Sequence, residues 1–187
     1  MTTTLIELNL TQENIRNIFV DSFGNYVAIT SQNNIIGNDF RFSIKIDFDF
    51  PHIRIIDNEN ILIIDDNWNI EKNAYVIDYS GNIKLKFYAG IGIEDIKINK
   101  KKIIVSYFDE GVFGKVGPNK DGISIFDFNG KQIFGYISHS ANNNFVDCYC
   151  LSNFGNDKII FYGYSDCHVQ VISATGQVDF SFSIGLI

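Results

Sequence analysis

The stretch Ile93-Glu94-Asp95-Ile96-Lys97-Ile98-Asn99-Lys100-Lys101-Lys102-Ile103-Ile104-Val105-Ser106-Tyr107-Phe108 decides the reading of the fold. Its first six residues alternate apolar with polar, the period-two pattern of a half-buried strand. Asn99 to Lys102 is a polar turn. Ile103 to Phe108 is nearly continuous apolar sequence, as expected of a strand covered on both faces. A Gly-rich loop, Asp109 to Asp121, leads to Ile123-Ser124-Ile125-Phe126-Asp127. Phe128-Asn129-Gly130-Lys131 then separates that run from Gln132-Ile133-Phe134, and Asn-Gly between two apolar runs is a strong hairpin signal. The unit is therefore four short antiparallel strands.

Working outward, the same unit recurs at a spacing of roughly 40 to 50 residues. Upstream lie Ile53 to Ile56, Ile61 to Ile64, Ala74 to Asp78, the turn Tyr79-Ser80-Gly81-Asn82, and Ile83 to Phe87. Downstream lie Val146 to Leu151, Lys158 to Tyr162, His168 to Ser173, the turn Ala174-Thr175-Gly176-Gln177, and a last strand over 177–183. The N-terminal unit is the most degraded. Ile18 to Asp21, the turn Ser22 to Asn25 and Tyr26 to Ile29 are clear, and Phe40 to Ile46 reads as a later strand without a Gly turn. Leu5 to Leu10 reads as an extra strand and Thr11 to Ile15 as a helical turn. The units fall near 12–50, 51–90, 91–140 and 141–187, within a single domain over 1–187.

Asp78-x-x-Gly81 and Asp127-x-x-Gly130, with Ser173-x-x-Gly176 as an echo, carry a resemblance. The pattern of alternating strand, apolar strand, loop, strand, Asp-x-x-Gly and strand resembles β-propeller blades of the loose NHL-like and YVTN-like sort. The resemblance implies an all-β fold of four propeller-type blades, each of four antiparallel strands. They would form either a small closed ring or an open partial propeller. A twisted β-sandwich is the structural alternative. Propellers host many activities, so the resemblance points to architecture and not to a reaction.

Composition supports strands: 45% of the chain is apolar, with 17 Phe and 9 Tyr. The net charge of −7 opposes nucleic-acid binding, which needs a basic counter-surface, and suits a basic partner. No basic n-region precedes an apolar run at the N-terminus, and no apolar run is long enough for a membrane span, so a cytoplasmic protein is expected. The three cysteines, Cys148, Cys150 and Cys167, are expected to be reduced. Cys148 and Cys150, two apart on one strand, should share a face, and they lack the C-x2-C turn typical of zinc sites. No metal or cofactor is expected.

No P-loop, dinucleotide fingerprint or paired-histidine metalloprotease motif is present. Ser138-His139-Ser140 sets a base beside hydroxyls, but a triad is defined by spatial geometry rather than adjacency. The acids are more informative. The loop after the second strand of three units begins with acid: Asp65-Asp66, Asp109-Glu110 and Asp166. Glu94, Asp95, Asp47, Asp49 and Asp147 should join the same end, with Trp68, Tyr107, Phe108, Phe113, Tyr162 and Tyr164 nearby and Lys100 to Lys102 at the opposite end. Asp65, Asp66, Trp68, Asp109, Glu110, Phe113, Tyr164 and Asp166 are the candidate partner-binding residues. Asp is also a common turn opener, and the aromatics would equally serve to pack blades together. The expected function is a non-enzymatic protein-binding module for a basic protein, in its sharpest form an immunity-type inhibitor of a nuclease-like toxin. A propeller enzyme, a small-ligand or carbohydrate binder, and a scaffold subunit or homo-oligomer paired through open blade edges are the alternatives.

Overall fold

The computed structural model describes residues 13–114, 116–139, 145, 147–164, 168–173 and 178–183. The chain is all-β, with four antiparallel sheets of four strands that follow one another in sequence. The first sheet holds β1 (Ile15–Val20), β2 (Tyr26–Thr30), β3 (Asn34–Gly37) and β4 (Arg41–Ser43). The second holds β5 (Pro51–Ile55), β6 (Asn60–Asp65), β7 (Ala74–Asp78) and β8 (Ile83–Phe87). The third holds β9 (Ile93–Asn99), β10 (Lys102–Tyr107), β11 (Ile123–Asp127) and β12 (Gln132–Gly135). The fourth holds β13 (Cys148–Phe154), β14 (Lys158–Gly163), β15 (His168–Ser173) and β16 (Val178–Ser183). Two four-residue helices, α1 (Asp109–Val112) and α2 (Tyr136–His139), and a 3-10 turn over Pro118–Asp121 sit in the connections. No helix among the described residues is long and apolar enough to cross a membrane.

Each sheet is an up-and-down meander, and sheets stack face to face in chain order. The first strands run side by side through the assembly, β1 against β5, β5 against β9 and β9 against β13. No comparable packing joins β13 to β1 among the described residues, which is compatible with an open, partial propeller of these blades.

The apolar runs now have a cause. In β6, Ile61 and Ile63 face the first sheet with Val27, Ile29, Ile35 and Tyr75. Leu62 and Ile64 face the third with Ile96, Ile103, Val105 and Phe126. In β10, Ile103 and Val105 face the second sheet, while Ile104 faces the fourth with Phe134, Leu151, Ile159 and Phe161. A strand buried on both faces cannot alternate. Each such fully buried Ile or Leu contributes about 1.5–3 kcal/mol relative to exposure.

The turns follow from Asp and Gly. Asp78 Oδ1 accepts from the Ser80 amide at 3.0 Å and the Asn82 amide at 2.8 Å, and Gly81 takes φ 87°. Asp127 does the same with Asn129 and Lys131, both at 2.9 Å, and Gly130 has φ 74°. Asp21 repeats the device in the first sheet with Phe23, Asn25 and Gly24.

Three local expectations are corrected. The N-terminal unit is a complete sheet, with β3 where no strand was expected and β4 shortened to three residues. Its β3 was hidden by the flanking Asn and Gly, which read as loop. Ile15 lies in β1 rather than in a helical turn, while Leu5 to Leu10, Thr11 and Gln12 lie outside the described residues. Cys148 and Cys150 do not share a face: the ladder between β13 and β14 slips between them, Cys148 is buried, and Cys150 is exposed. A bulge inserts one residue and breaks the two-residue rule locally.

Candidate functional site

Up-and-down strand order sends two sets of connections to one end of the arc. They are the links between second and third strands and the links between successive sheets. Backbone contacts tie them together: the Asp66 amide donates to Phe50 O at 3.0 Å, Phe108 to Gly92 O at 2.9 Å, and Tyr164 to Asp147 O at 3.0 Å. Asp65, Asp66, Trp68, Asp109, Glu110, Phe113 and Tyr164 all belong to this end. Asp166 lies outside the described residues.

They divide into two kinds. Asp65 is fully enclosed, at 0% exposure. Its carboxylate accepts from the Asp49 amide at 3.0 Å and the Phe50 amide at 2.7 Å. Burial pushes that carboxyl up, against the pull of those two amides. Asp66 reaches the other way, accepting from the Gly92 amide at 2.8 Å and the Ile93 amide at 3.0 Å. The adjacent acids thus latch the chain entering β5 and the chain entering β9. The oxygens of these two expected docking charges hold loops, with Asp65 enclosed and Asp66 partly exposed. Asn73 completes the seat, donating to Asp65 O at 3.0 Å and Gly90 O at 2.7 Å while accepting from Ala89 N at 2.9 Å.

The second kind faces outward. Trp68 is 59% exposed and Phe113 67%. Tyr164 is exposed, with its ring 5.3 Å from exposed Tyr149. Phe50 and Val116, exposed on neighbouring loops, join them and were not singled out from the sequence. Glu110 is exposed within α1, which Asp109 opens. Glu94 is exposed, and its carboxyl is pushed up by partial burial and then by the charges of Asp147 and Asp95. Asp95 pairs with Arg54 at 2.9 Å and Lys97 at 2.7 Å, an ionic tie between second and third sheets. Tyr107 is fully buried and donates its hydroxyl hydrogen to Ala89 O.

The polar pair Ser138 and His139 has structural partners. The amide of Ser138 donates to buried Asp121 at 3.2 Å, its hydroxyl donates to the same carboxylate, and Gln132 Nε2 adds a third bond at 2.8 Å. His139 Nδ1 lies 2.8 Å from Gly135 O. Burial pushes the Cys148 thiol up to about 12, far from the nucleophilic range, and Cys167 lies outside the described residues.

The other end of the arc carries a feature that the sequence reading did not anticipate. A cleft of about 1020 Å3 opens between the inner strands, lined by residues of all four sheets. Phe19 and Val20, Ile55, Lys97 and Ile98, and Ser152 and Asn153 form its walls, and the turns bearing Asp21, Asp39, Asp57 and Tyr79 form its rim.

No family model matches the chain, and no curated protein matches it. Solved structures do. Virginiamycin B lyase from Staphylococcus aureus matches with a TM-score of 0.60 at 14% identity, over 95% of this chain and 58% of that one. A streptogramin B lyase structure matches at 0.61 and 12% identity, over 95% and 57%. KlAtg21, in complex with the coiled-coil of AgAtg16, matches at 0.62 and 12% identity, over 90% and 55%. The shared feature is a propeller-type fold. The chain spans a little over half the length of these neighbours. At these identities the likeness concerns fold alone.

Proposed function

We propose that this chain is a protein-binding module whose partner docks on the loop face between β5, β9 and β13. One observation carries the reading: Phe50, Trp68, Phe113, Val116, Tyr149 and Tyr164 are all exposed, and all lie at that end. Scattered exposed apolar side chains are ordinary, whereas aromatic groups gathered on one face are typical of docking surfaces. The latches beneath them fix the loops before binding, which lowers the ordering cost of association. A net charge of −7 favours a basic partner, and in the narrowest form of the reading that partner is a nuclease-like toxin that the module covers.

The test is capture of a partner from native lysate, followed by kinetics with purified components. Trp68→Ala and Phe113→Ala are each expected to speed dissociation by about 30-fold, equivalent to about 2 kcal/mol. Glu110→Gln is expected to slow association and reduce its salt dependence, leaving dissociation nearly unchanged. A partner that binds the Trp68→Ala, Phe113→Ala double variant like the unaltered protein would refute the reading.

A further inference from the structure

The cleft at the opposite end is built from a different chemistry. Its walls mix apolar and polar side chains: Phe19, Val20, Ile55, Ile56 and Ile98 stand beside Ser152 and Asn153. Its rim is aromatic. Phe40 and Tyr79 stack with centroids 4.1 Å apart, and Phe23 stands 89% exposed. Its charged lining residues are Asp21, Asp39, Asp57 and Lys97, and Lys97 is held at 2.7 Å by Asp95. The lining therefore offers three carboxylates and several ring faces, with its lysine drawn to Asp95, a carboxylate that Arg54 shares.

We propose that this cleft is a second binding site, for an extended peptide segment carrying arginine or lysine. Charge complementarity selects the cation, and ring faces attract it further through their quadrupole. The chain already uses this combination internally: the Arg54 guanidinium lies 5.4 Å over the Phe19 ring and 2.9 Å from Asp95. The volume of about 1020 Å3 stands at the upper end of the range for drug-sized ligands, suited to several peptide residues. The apolar part of the walls takes the aliphatic stems and neighbouring apolar side chains, while the charged heads reach the rim. Asp21 and Asp57 also cap their own turns, so Asp39 is the acid that can be altered with least consequence for the fold.

The experiment titrates the full chain into a dye-labelled octapeptide of alternating arginine and leucine, read by fluorescence anisotropy. The control is the same peptide with glutamate in place of arginine. Saturable binding of the arginine peptide alone is expected, weakening with salt. Phe23→Ala and Asp39→Asn should each weaken it by about two- to fivefold, the scale of an exposed cation–π or charge contact. Both positions are exposed, so melting temperature should hold. Trp68→Ala, at the other end, should bind the peptide unchanged. No saturable binding, equal binding of the glutamate peptide, or unchanged binding by the Phe23→Ala, Asp39→Asn double variant would each overturn the proposal. Loss of binding in Trp68→Ala would place the peptide on the loop face and overturn it too. The partner kinetics above are read on separate variants, so either site can fail alone.

Discussion

Asp78 shows how much one side chain contributes to a blade. Its carboxylate accepts from two turn amides and from Asn82 Nδ2 at 3.0 Å, and Lys84 Nζ stands 2.9 Å away. The Lys84 and Asn82 side chains, followed by the turn amides, hold it well below the usual carboxylate range. A depressed folded value means stability that is present above the unfolded value of about 3.9 and is lost as pH falls through the folded one. Asp78→Ala should therefore lower the melting temperature at pH 7, and the gap from the unaltered protein should narrow steadily below about pH 4 in a series of thermal melts. The cysteines give a second residue-scale outcome. In a Cys167→Ser background, a thiol reagent should label Cys150 rapidly in the native protein and Cys148 only after unfolding, because Cys148 is buried with a raised pKa. Rapid native labelling of both would contradict the bulge between them.

At the scale of elements, the loop face depends on latches more than on its own sequence. Asp66 satisfies the first two amides of the chain entering β9, and a part-buried charge-assisted hydrogen bond lost at one end leaves its donors without that partner. Asp66→Ala should cost about 1.5–3 kcal/mol in urea denaturation. Trp68→Ala, two residues away and exposed, should cost under about 0.5 kcal/mol. That contrast separates a residue that holds the face from one that presents it. Gly92 belongs to the first group. It has φ 68°, and a Cβ there would lie 2.6 Å from the backbone of Gly111. Gly92→Ala should cost at least about 1–2 kcal/mol from the left-handed backbone alone, because the contact at Gly111 cannot yield by rotating a side chain.

At the scale of the molecule, the second and third sheets have neighbours on both faces, while the first and fourth each lack one such neighbour among the described residues. Stability in a linear array is roughly the sum of repeat and nearest-neighbour terms. Native-state hydrogen exchange should therefore be slowest in β6 and β10, whose side chains are buried on both faces and whose sheets have two neighbours, and faster in β14, whose burial alternates. Equal protection in all four sheets would indicate that the arc closes. The two proposed sites sit at opposite ends of this arc. A partner on the loop face and a peptide in the cleft could be bound together without touching.

The sequence by itself determined the strands, because strand periodicity and turn chemistry are local. Ala74–Asp78, Ile83–Phe87 and Ile123–Asp127 have the limits that their patterns predict. Asp-x-x-Gly fixed its turns through a carboxylate that meets amides two and four residues on. The common end of Trp68, Glu110, Phe113 and Tyr164 was equally legible, since up-and-down strands return equivalent loops to one end. What only the tertiary structure decided was the use of each group on arrival. Asp65 and Asp66 look like the exposed Glu110 in sequence, yet their oxygens meet amides 15 to 27 residues away. Cys148 and Cys150 required knowledge of a bulge, and a bulge is a property of paired strands rather than of one. The cleft needed all four sheets. Its walls are contributed from Phe19 to Asn153, and no local pattern records how strands so far apart in sequence curve around one space.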